Sequence, residues 1–517
     1  MLAVELVRRG AARHRDRVAV QVGGEAMTYA EVIDQAERIT RSLLGLGLGP
    51  GTPIALLLDN GKYSMPVDFA LLLGGFVRVP LNSRLAAAEH AQMVSQIGCP
   101  VLLYESPHAA RVKEVAELAP GFCAIPIDDG DGPQEPLARL AARQPSGDPR
   151  VPVRPEDPML AIYTSGTTGT LKAAVHTQAS WSAIAANILA NLVSPGPDDA
   201  MLHAASLIHA SGTFVLPYWL RGGRSVVLPS FSPDTWLDAV SRCGVTAANL
   251  VPTMLQMLLA ATPDAVGLET LSTVIYGASP MPRPVIERAL SLWGPRFIQY
   301  YGQTEAPLCI SVLPKHDHVG PNAAELLASC GYPAIDAEVR LCDGDGNPVP
   351  DGETGELQVR APFAMRGYHD AAELTARTVL PGGWITTRDV ARRDERGYLY
   401  LVDRTSDMIV TGGYNVYPRE VEDALLAHPG VLEAAVVAAP DEKWVEAVTA
   451  FVVLSPGTGP DEPALRDHVR GRLAGYKVPK RVYIVDQIPK SAVGKVLRRA
   501  LRDPLWAGAG QRREERL

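Results

Sequence analysis

Residues 159–172 read MLAIYTSGTTGTLK: an apolar run, Met159 to Tyr163, leads straight into glycines, serine and threonines that end on Lys172. The apolar run predicts a buried strand and the polar stretch a loop at its end. Glycines let backbone N–H groups turn toward an anion, hydroxyls donate where no N–H reaches, and the lysine adds positive charge. Together they suit phosphate oxygens. The loop is not of the P-loop ATPase type, because Leu171 stands five residues after Gly166 and no Gly-Lys-Ser or Gly-Lys-Thr follows. A Ser/Thr/Gly cluster is also a common plain connection, so composition alone leaves both readings open.

Upstream, residues 28–142 alternate helical patterns (29–46, 83–97) with short apolar runs (53–58, 101–104), the rhythm of βα units around a parallel sheet. The proline-rich stretch 144–158 predicts a surface connection. From Met159 to about Tyr301 the rhythm repeats, with strands expected near 200–202, 225–228 and 274–276. Two α/β lobes are therefore expected, the second starting at Met159. Between about Gly331 and Asp403 short strands separated by turns (GDGNP at 344–348, DGETG at 351–355) predict a small β-rich subdomain. Beyond it a helix over 418–427, strands over 434–438 and 448–454 and a helix over 462–473 predict a small α+β unit. The charged, aperiodic tail from about Gly508 to Leu517 is expected to be disordered.

The 517 residues exceed one ordinary core, and 47% hydrophobic with 21% charged residues is the composition of a soluble globular protein. With a formal charge of -8 and no basic stripe, a nucleic-acid partner is excluded. The six cysteines lack paired spacing and read as reduced thiols. No apolar run is long enough for a membrane span, the N-terminus reaches Arg8 too early for a signal peptide, and the chain reads as cytoplasmic.

The order TSGTTG, then Lys172, resembles the phosphate loop of the adenylate-forming superfamily: acyl-CoA synthetases, peptide-synthetase adenylation domains and luciferases. The resemblance continues in order along nearly the whole chain. Gly277-Ala278-Ser279-Pro280 is similar to the family's adenine-side turn, Tyr301-Gly302-Gln303-Thr304-Glu305 to its YGxTE motif, and Asp389 to the aspartate of its TGD motif. The stretch 403–422, from Asp403-Arg404 to Glu422, resembles the segment joining its two domains, and 489–495, PKSAVGK, its terminal PKTxxGK.

The resemblance implies an N-terminal domain of two α/β lobes and a β-rich subdomain over 1–406, and a mobile α+β C-terminal domain over 407–517. It also implies ATP-dependent activation of a carboxylic acid as acyl-AMP, pyrophosphate release, and thioester formation with CoA. On that reading Thr164, Ser165, Gly166, Thr167, Thr168, Gly169 and Lys172 cradle phosphates, while Gly277, Ala278, Ser279, Tyr301, Gly302 and Gln303 hold the adenine side. Thr304 and Glu305 belong to the catalytic set, Glu305 holding Mg²⁺, because a hard dication takes carboxylate and phosphate oxygens. Asp389 accepts the ribose hydroxyls, Arg404 contacts the nucleotide, and Lys495 bridges the substrate carboxylate and the α-phosphate. Asp407 is the implied hinge, and Gly412, Gly413 and Trp444 the implied CoA tunnel.

The acyl pocket is implied at Trp181, His209, Asn249, Gly277, Tyr300, Pro307 and Leu308. No aspartate stands between Met201 and Pro217 to pair with an α-ammonium, which disfavours an amino acid. Asn249 either meets a polar group on the acid or satisfies backbone. Three positions depart from the family pattern: Arg388 and Val445 stand where glycine is usual, and Ser406 where lysine is common. Val445 leaves the acceptor open between CoA and a carrier protein, an amine or another small nucleophile. A nucleotide-binding regulatory protein is disfavoured by the intact Lys495, Glu305 and Asp389, and a homodimer is left open.

Overall fold

The computed structural model describes residues 1–130, 134–165, 171–262, 266–404, 407–412, 414–441, 443–455, 457, 459–490 and 496–507. Lys495, Gly413, Ser406, the loop residues Gly166 to Gly169 and the tail expected to be disordered lie outside the described residues. The chain divides into two compact units, one of residues 1–280, 285–339 and 359–386, the other of 281–284, 340–358 and 387–517.

The first unit is built on two large sheets. In the seven-stranded sheet, Pro53–Leu57 pairs in parallel with Val77–Pro80 and with Val101–Tyr104. These strands are buried throughout apart from the half-buried Pro53, as expected when helices cover both faces. Helix Tyr29–Gly45 starts where expected because Thr28 and Glu31 form a capping box: Thr28 Oγ1 accepts from the Glu31 N–H at 3.2 Å and Glu31 Oε2 from the Thr28 N–H at 2.7 Å. In the nine-stranded sheet, Arg224–Val227, Ala200–His203, Ala247–Leu250, Thr273–Tyr276 and Phe297–Gln303 follow one another in parallel, Ala306–Leu313 returns antiparallel as a hairpin, and the short strand Tyr332–Pro333 ends the row.

The lobes do not divide at Met159. Pro158–Ser165 pairs with Val77–Pro80, through Arg78 and Leu160, and Leu171–Thr177 returns antiparallel beside it, so this hairpin completes the first lobe's sheet. Conversely, Val18–Val22 runs parallel to Arg224–Val227 in the second lobe's sheet. Local periodicity reveals a strand but not its sheet, which is settled by long-range pairing. The N-terminal helix Ala3–Arg13 is anchored on the second lobe by Trp219, whose indole N–H donates to the Val7 carbonyl at 2.8 Å. Gly10 sits on that indole, where a Cβ would come within 2.2 Å of the ring. Tyr29 stacks on the same indole with ring centres 4.2 Å apart.

In the second unit, Val431–Asp441 and Val445–Leu454 form a long antiparallel pair, with Arg481–Ile484 parallel to the latter. Val421, Leu425, Val436, Val448, Val452, Leu465 and Val469 form its core, contributed by this sheet and by helices Pro418–Leu426 and Glu462–Arg470. The strands Thr354–Arg360, Trp384–Arg393 and Leu399–Arg404 fall within the β-rich stretch expected between 331 and 403. All six cysteines are free, four of them buried. No described helix is long and apolar enough to cross a membrane.

Candidate active site

Lys172 is the second residue of the return strand of the 158–177 hairpin, Leu171–Thr177, and Glu305 sits in the tight turn between Phe297–Gln303 and Ala306–Leu313. The first unit brings them together: Lys172 Nζ lies 3.3 Å from Glu305 Oε1. Tyr368, for which the sequence offered no motif signal, completes the cluster. Its hydroxyl accepts from Lys172 Nζ at 2.7 Å and donates to Glu305 Oε1 at 2.5 Å. A two-residue strand, Gly367–Tyr368, places it by pairing with Val175 and Ala174.

Burial alone would raise the Glu305 carboxyl, but the charge of Lys172 and the Tyr368 hydroxyl outweigh it and hold the group below its ordinary value. The result is a nearly buried carboxylate kept ionised by a lysine and a tyrosine. Behind it, His176 is buried and donates from Nε2 to the Thr304 carbonyl at 2.9 Å. Desolvation lowers the His176 pKa to about 4, so the ring is neutral, and the carbonyl, which only accepts, places the proton on Nε2.

The turn around Glu305 is tight because Gly302 has no side chain: a Cβ there would meet the Leu308 carbonyl oxygen at 2.0 Å. Leu308 itself holds a φ of 61°, and Ala278 one of 66°. Gly277 lies against Tyr300, whose carbonyl oxygen a Cβ would approach to 2.5 Å. Non-glycine residues in this left-handed region are sparse and cluster at functional sites.

Of the residues implied for the acyl pocket, His209 lies with Nε2 3.3 Å from Asn82 Nδ2, and Asn82 receives a hydrogen bond from His90 Nε2 on its carbonyl at 2.8 Å. Sequence reasoning passed over Asn82, which no motif marks. Asn249 is buried; its amide donates to the Ile275 carbonyl at 3.3 Å and its side chain also meets the Tyr300 hydroxyl. Its polar capacity is thus engaged within the protein. Trp181 packs edge-on against His176, 6.1 Å between ring centres.

In the second unit, Asp389 is buried and its N–H donates to Thr387 Oγ1 at 3.1 Å, while Thr387 Oγ1 donates to the Leu357 carbonyl at 2.6 Å. Arg388 has a φ of 60°, and its N–H donates to Glu356 at 3.0 Å. Gly412, at φ 57°, lies against the Trp444 ring, which a Cβ would reach at 2.6 Å. Lys443 and Lys480 stand 4.9 and 5.1 Å from that ring's centre. Asp407 receives Arg498 Nη1 at 3.4 Å, while Arg498 Nη2 reaches both Glu422 oxygens at 2.8 Å.

Residues 7–369 match the family of AMP-binding enzymes, and residues 420–495 match the AMP-binding enzyme C-terminal domain. The chain belongs to the AMP-binding enzyme family. It is 38% identical over 491 residues to a feruloyl-CoA synthase of Amycolatopsis sp., covering 94% of this chain and 95% of that one. It is 35% identical over 516 residues to a medium/long-chain-fatty-acid–CoA ligase of Mycobacterium tuberculosis, covering 96% and 89%. Among solved structures, the amide bond synthetase McbA of Marinactinospora thermotolerans superposes with a TM-score of 0.88 at 31% identity, covering 97% and 99%. Like the adenylate-forming superfamily to which these enzymes belong, the chain is an AMP-forming ligase that activates a carboxylic acid with ATP for transfer to CoA or another acceptor.

Proposed function

We infer that the Lys172–Glu305–Tyr368 cluster is the phosphate- and metal-facing part of the activating site and that CoA is the acceptor. One observation carries the first part: a nearly buried carboxylate, held ionised beside a lysine, at the root of a loop of glycines and hydroxyls. An ion pair removed from water is weak support for stability and better explained by a charged ligand.

In the first half-reaction an oxygen of the substrate carboxylate attacks the α-phosphorus of ATP, the bond from that phosphorus to the bridging oxygen breaks, and pyrophosphate leaves. Such a step is accelerated by alignment and by neutralising accumulated negative charge. Lys172 exchanges Glu305 for a phosphate oxygen when the triphosphate enters. Glu305 fits Mg²⁺ because it is an ionised oxygen donor that Lys172 and Tyr368 already orient. The ion, when bound, supplies further charge neutralisation on the phosphates. Residues 164–169 cradle those phosphates, Gly277 to Ser279 and Tyr301 to Gln303 take the adenine side, Asp389 the ribose and Arg404 the nucleotide. Lys495 spans the carboxylate and the α-phosphate.

In the second half-reaction the CoA thiol attacks the acyl carbonyl carbon, the bond to the AMP oxygen breaks, AMP leaves and the thiol proton passes to solvent. Here Gly412, Gly413 and Trp444 line the thiol's path after the domain 407–517 turns about Asp407. The contact of Gly412 with Trp444 explains glycine at 412, because the indole fills the space that a side chain would take and so puts both residues on one wall. An amine or carrier-protein acceptor is a second reading, favoured by the solved amide bond synthetase and by Val445 beside Trp444.

Exchange of labelled pyrophosphate into ATP across a panel of aromatic and aliphatic acids tests the first half, and the mass of the product with CoA, amines or carrier protein tests the second. No acid-dependent exchange would sink the activating site. Lys495→Ala is expected to lose exchange by on the order of 10² to 10³ in rate, as when one preorganised charge-stabilising donor is removed. Exchange near the unmodified rate in that variant would remove Lys495 from its role.

A further inference from the structure

Helix Ser64–Leu73 is apolar on every side and its residues are buried, with one exception in the middle, Asp68. A carboxylate costs several kcal/mol in such a place unless it is paired. Its partner is Arg78, on the buried strand Val77–Pro80, which donates to Asp68 from Nη1. Arg78 is 7% exposed, and its Nε finds no hydrogen-bond partner among the described residues. Of the Asp68 side chain, 29% is accessible, and it opens on a cavity walled by Phe69, Leu72, Met159, Trp181, Gly212 and Leu216. The space holds about one water molecule, room for the tip of a substituent rather than a whole ligand.

One wall of the cavity, Trp181, is a residue implied for the acyl pocket. Trp181 packs edge-on against His176, and His176 bonds the Thr304 carbonyl next to Glu305. Gly212 and Leu216, another wall, lie on the segment that follows His209, which is also implied for the acyl pocket. An apolar box whose polar lining is the Asp68 carboxylate and its ion-pair partner Arg78 selects a particular chemistry. A carboxylate tip would be repelled by Asp68, and an ammonium tip would face Arg78 with Asp68 already neutralised. A hydroxyl carries no charge and donates to the carboxylate.

We propose that this cavity receives the far end of the acid substrate and that Asp68 selects acids whose tail ends in a hydroxyl, Arg78 holding the carboxylate in place. The inference rests on the activating-site reading above. Burial raises the Asp68 carboxyl, and Arg78 offsets that rise only in part.

The test is pyrophosphate exchange with paired acids: phenylpropanoic acids with and without a ring hydroxyl, and chains with and without a terminal hydroxyl. In at least one pair the hydroxylated acid is expected to lead by about 10- to 100-fold in kcat/KM, the range of one hydrogen bond to a charged group. Removing the Asp68 charge alone strands a buried arginine, so the informative variant is the double variant Asp68→Leu, Arg78→Met, which replaces the pair by apolar side chains of similar volume. In the double variant, with folding checked by thermal denaturation, the ratio is expected to fall toward one. A preference that survives the double variant overturns the proposal. Exchange with no preference in any pair means that solvent alone fills the cavity; it overturns the proposal and leaves the ligase reading standing. No exchange with any acid overturns both.

Discussion

Val445 and Arg388 stand where the family pattern has glycine, and the backbone holds glycine's conformation at both, with φ of 69° and 60°. The left-handed region costs an L-residue roughly 1–2 kcal/mol, most for a β-branched one. Val445 is 65% exposed, so it recovers little of that by burial. Val445→Gly is expected to stabilise the protein by about 1 kcal/mol in urea unfolding, after glycine's extra unfolded-state entropy is subtracted. Arg388→Gly keeps the N–H bond to Glu356 and is expected to gain less. A loss of stability on Val445→Gly would show that the valine makes a contact worth more than its strain.

At the same scale, Tyr368→Phe deletes a hydroxyl that orients both Lys172 and Glu305. Exchange is expected to fall about tenfold, with half-maximal rate at higher Mg²⁺ concentration, since Glu305 loses a charge-assisted hydrogen bond of about 1.5–3 kcal/mol. A Mg²⁺ dependence identical to that of the unmodified enzyme would limit Tyr368 to packing. Lys172 and Glu305 were legible in the sequence because each sits in an ordered motif. Tyr368 was not, because it lies 196 positions from Lys172 and arrives on a strand only two residues long.

Among the elements, three buried histidines couple strands and turns to pH. His176 lies on the return strand of the 158–177 hairpin, His203 ends a central strand between Ser211 and Ser225, and His318 receives the Tyr276 hydroxyl at 2.8 Å. Desolvation lowers each to about 4, against about 6.5 when unfolded. Above pH 6.5 both states are neutral and the full stability is present. As pH falls toward 4 the unfolded chain gains protons that the folded one refuses, and each histidine costs up to roughly 3 kcal/mol. Unfolding free energy measured by urea at pH 7, 6 and 5 should therefore decline steadily. A flat profile down to pH 5 would mean that the rings protonate in place. The elements themselves were largely legible: the strand expected over 101–104 is Val101–Tyr104, and the helix over 418–427 is Pro418–Leu426. Their buried histidines were not, since burial depends on which layers cover a strand.

Across the molecule, the α/β alternation announced two lobes, but not that the chain trades strands between them. Val18–Val22 belongs to one sheet and Pro158–Ser165 to the other, while the largely exposed connection 144–158 starts and ends in the first lobe. Cleavage within 144–150 should therefore leave two fragments that remain associated through native chromatography, whereas residues 158–369 expressed alone should not fold. Fragments that separate freely after the cut would contradict the exchanged pairing. There is also a consequence in time. During synthesis Val18–Val22 emerges about 200 residues before the strand it pairs with, Arg224–Val227, a wait of roughly 10 to 40 s at ribosomal rates of 5–20 residues per second. Through that interval an apolar edge has no partner, so the nascent chain is the form most in need of a chaperone, and slowing elongation before residue 224 should lower the yield of active enzyme more than slowing it after.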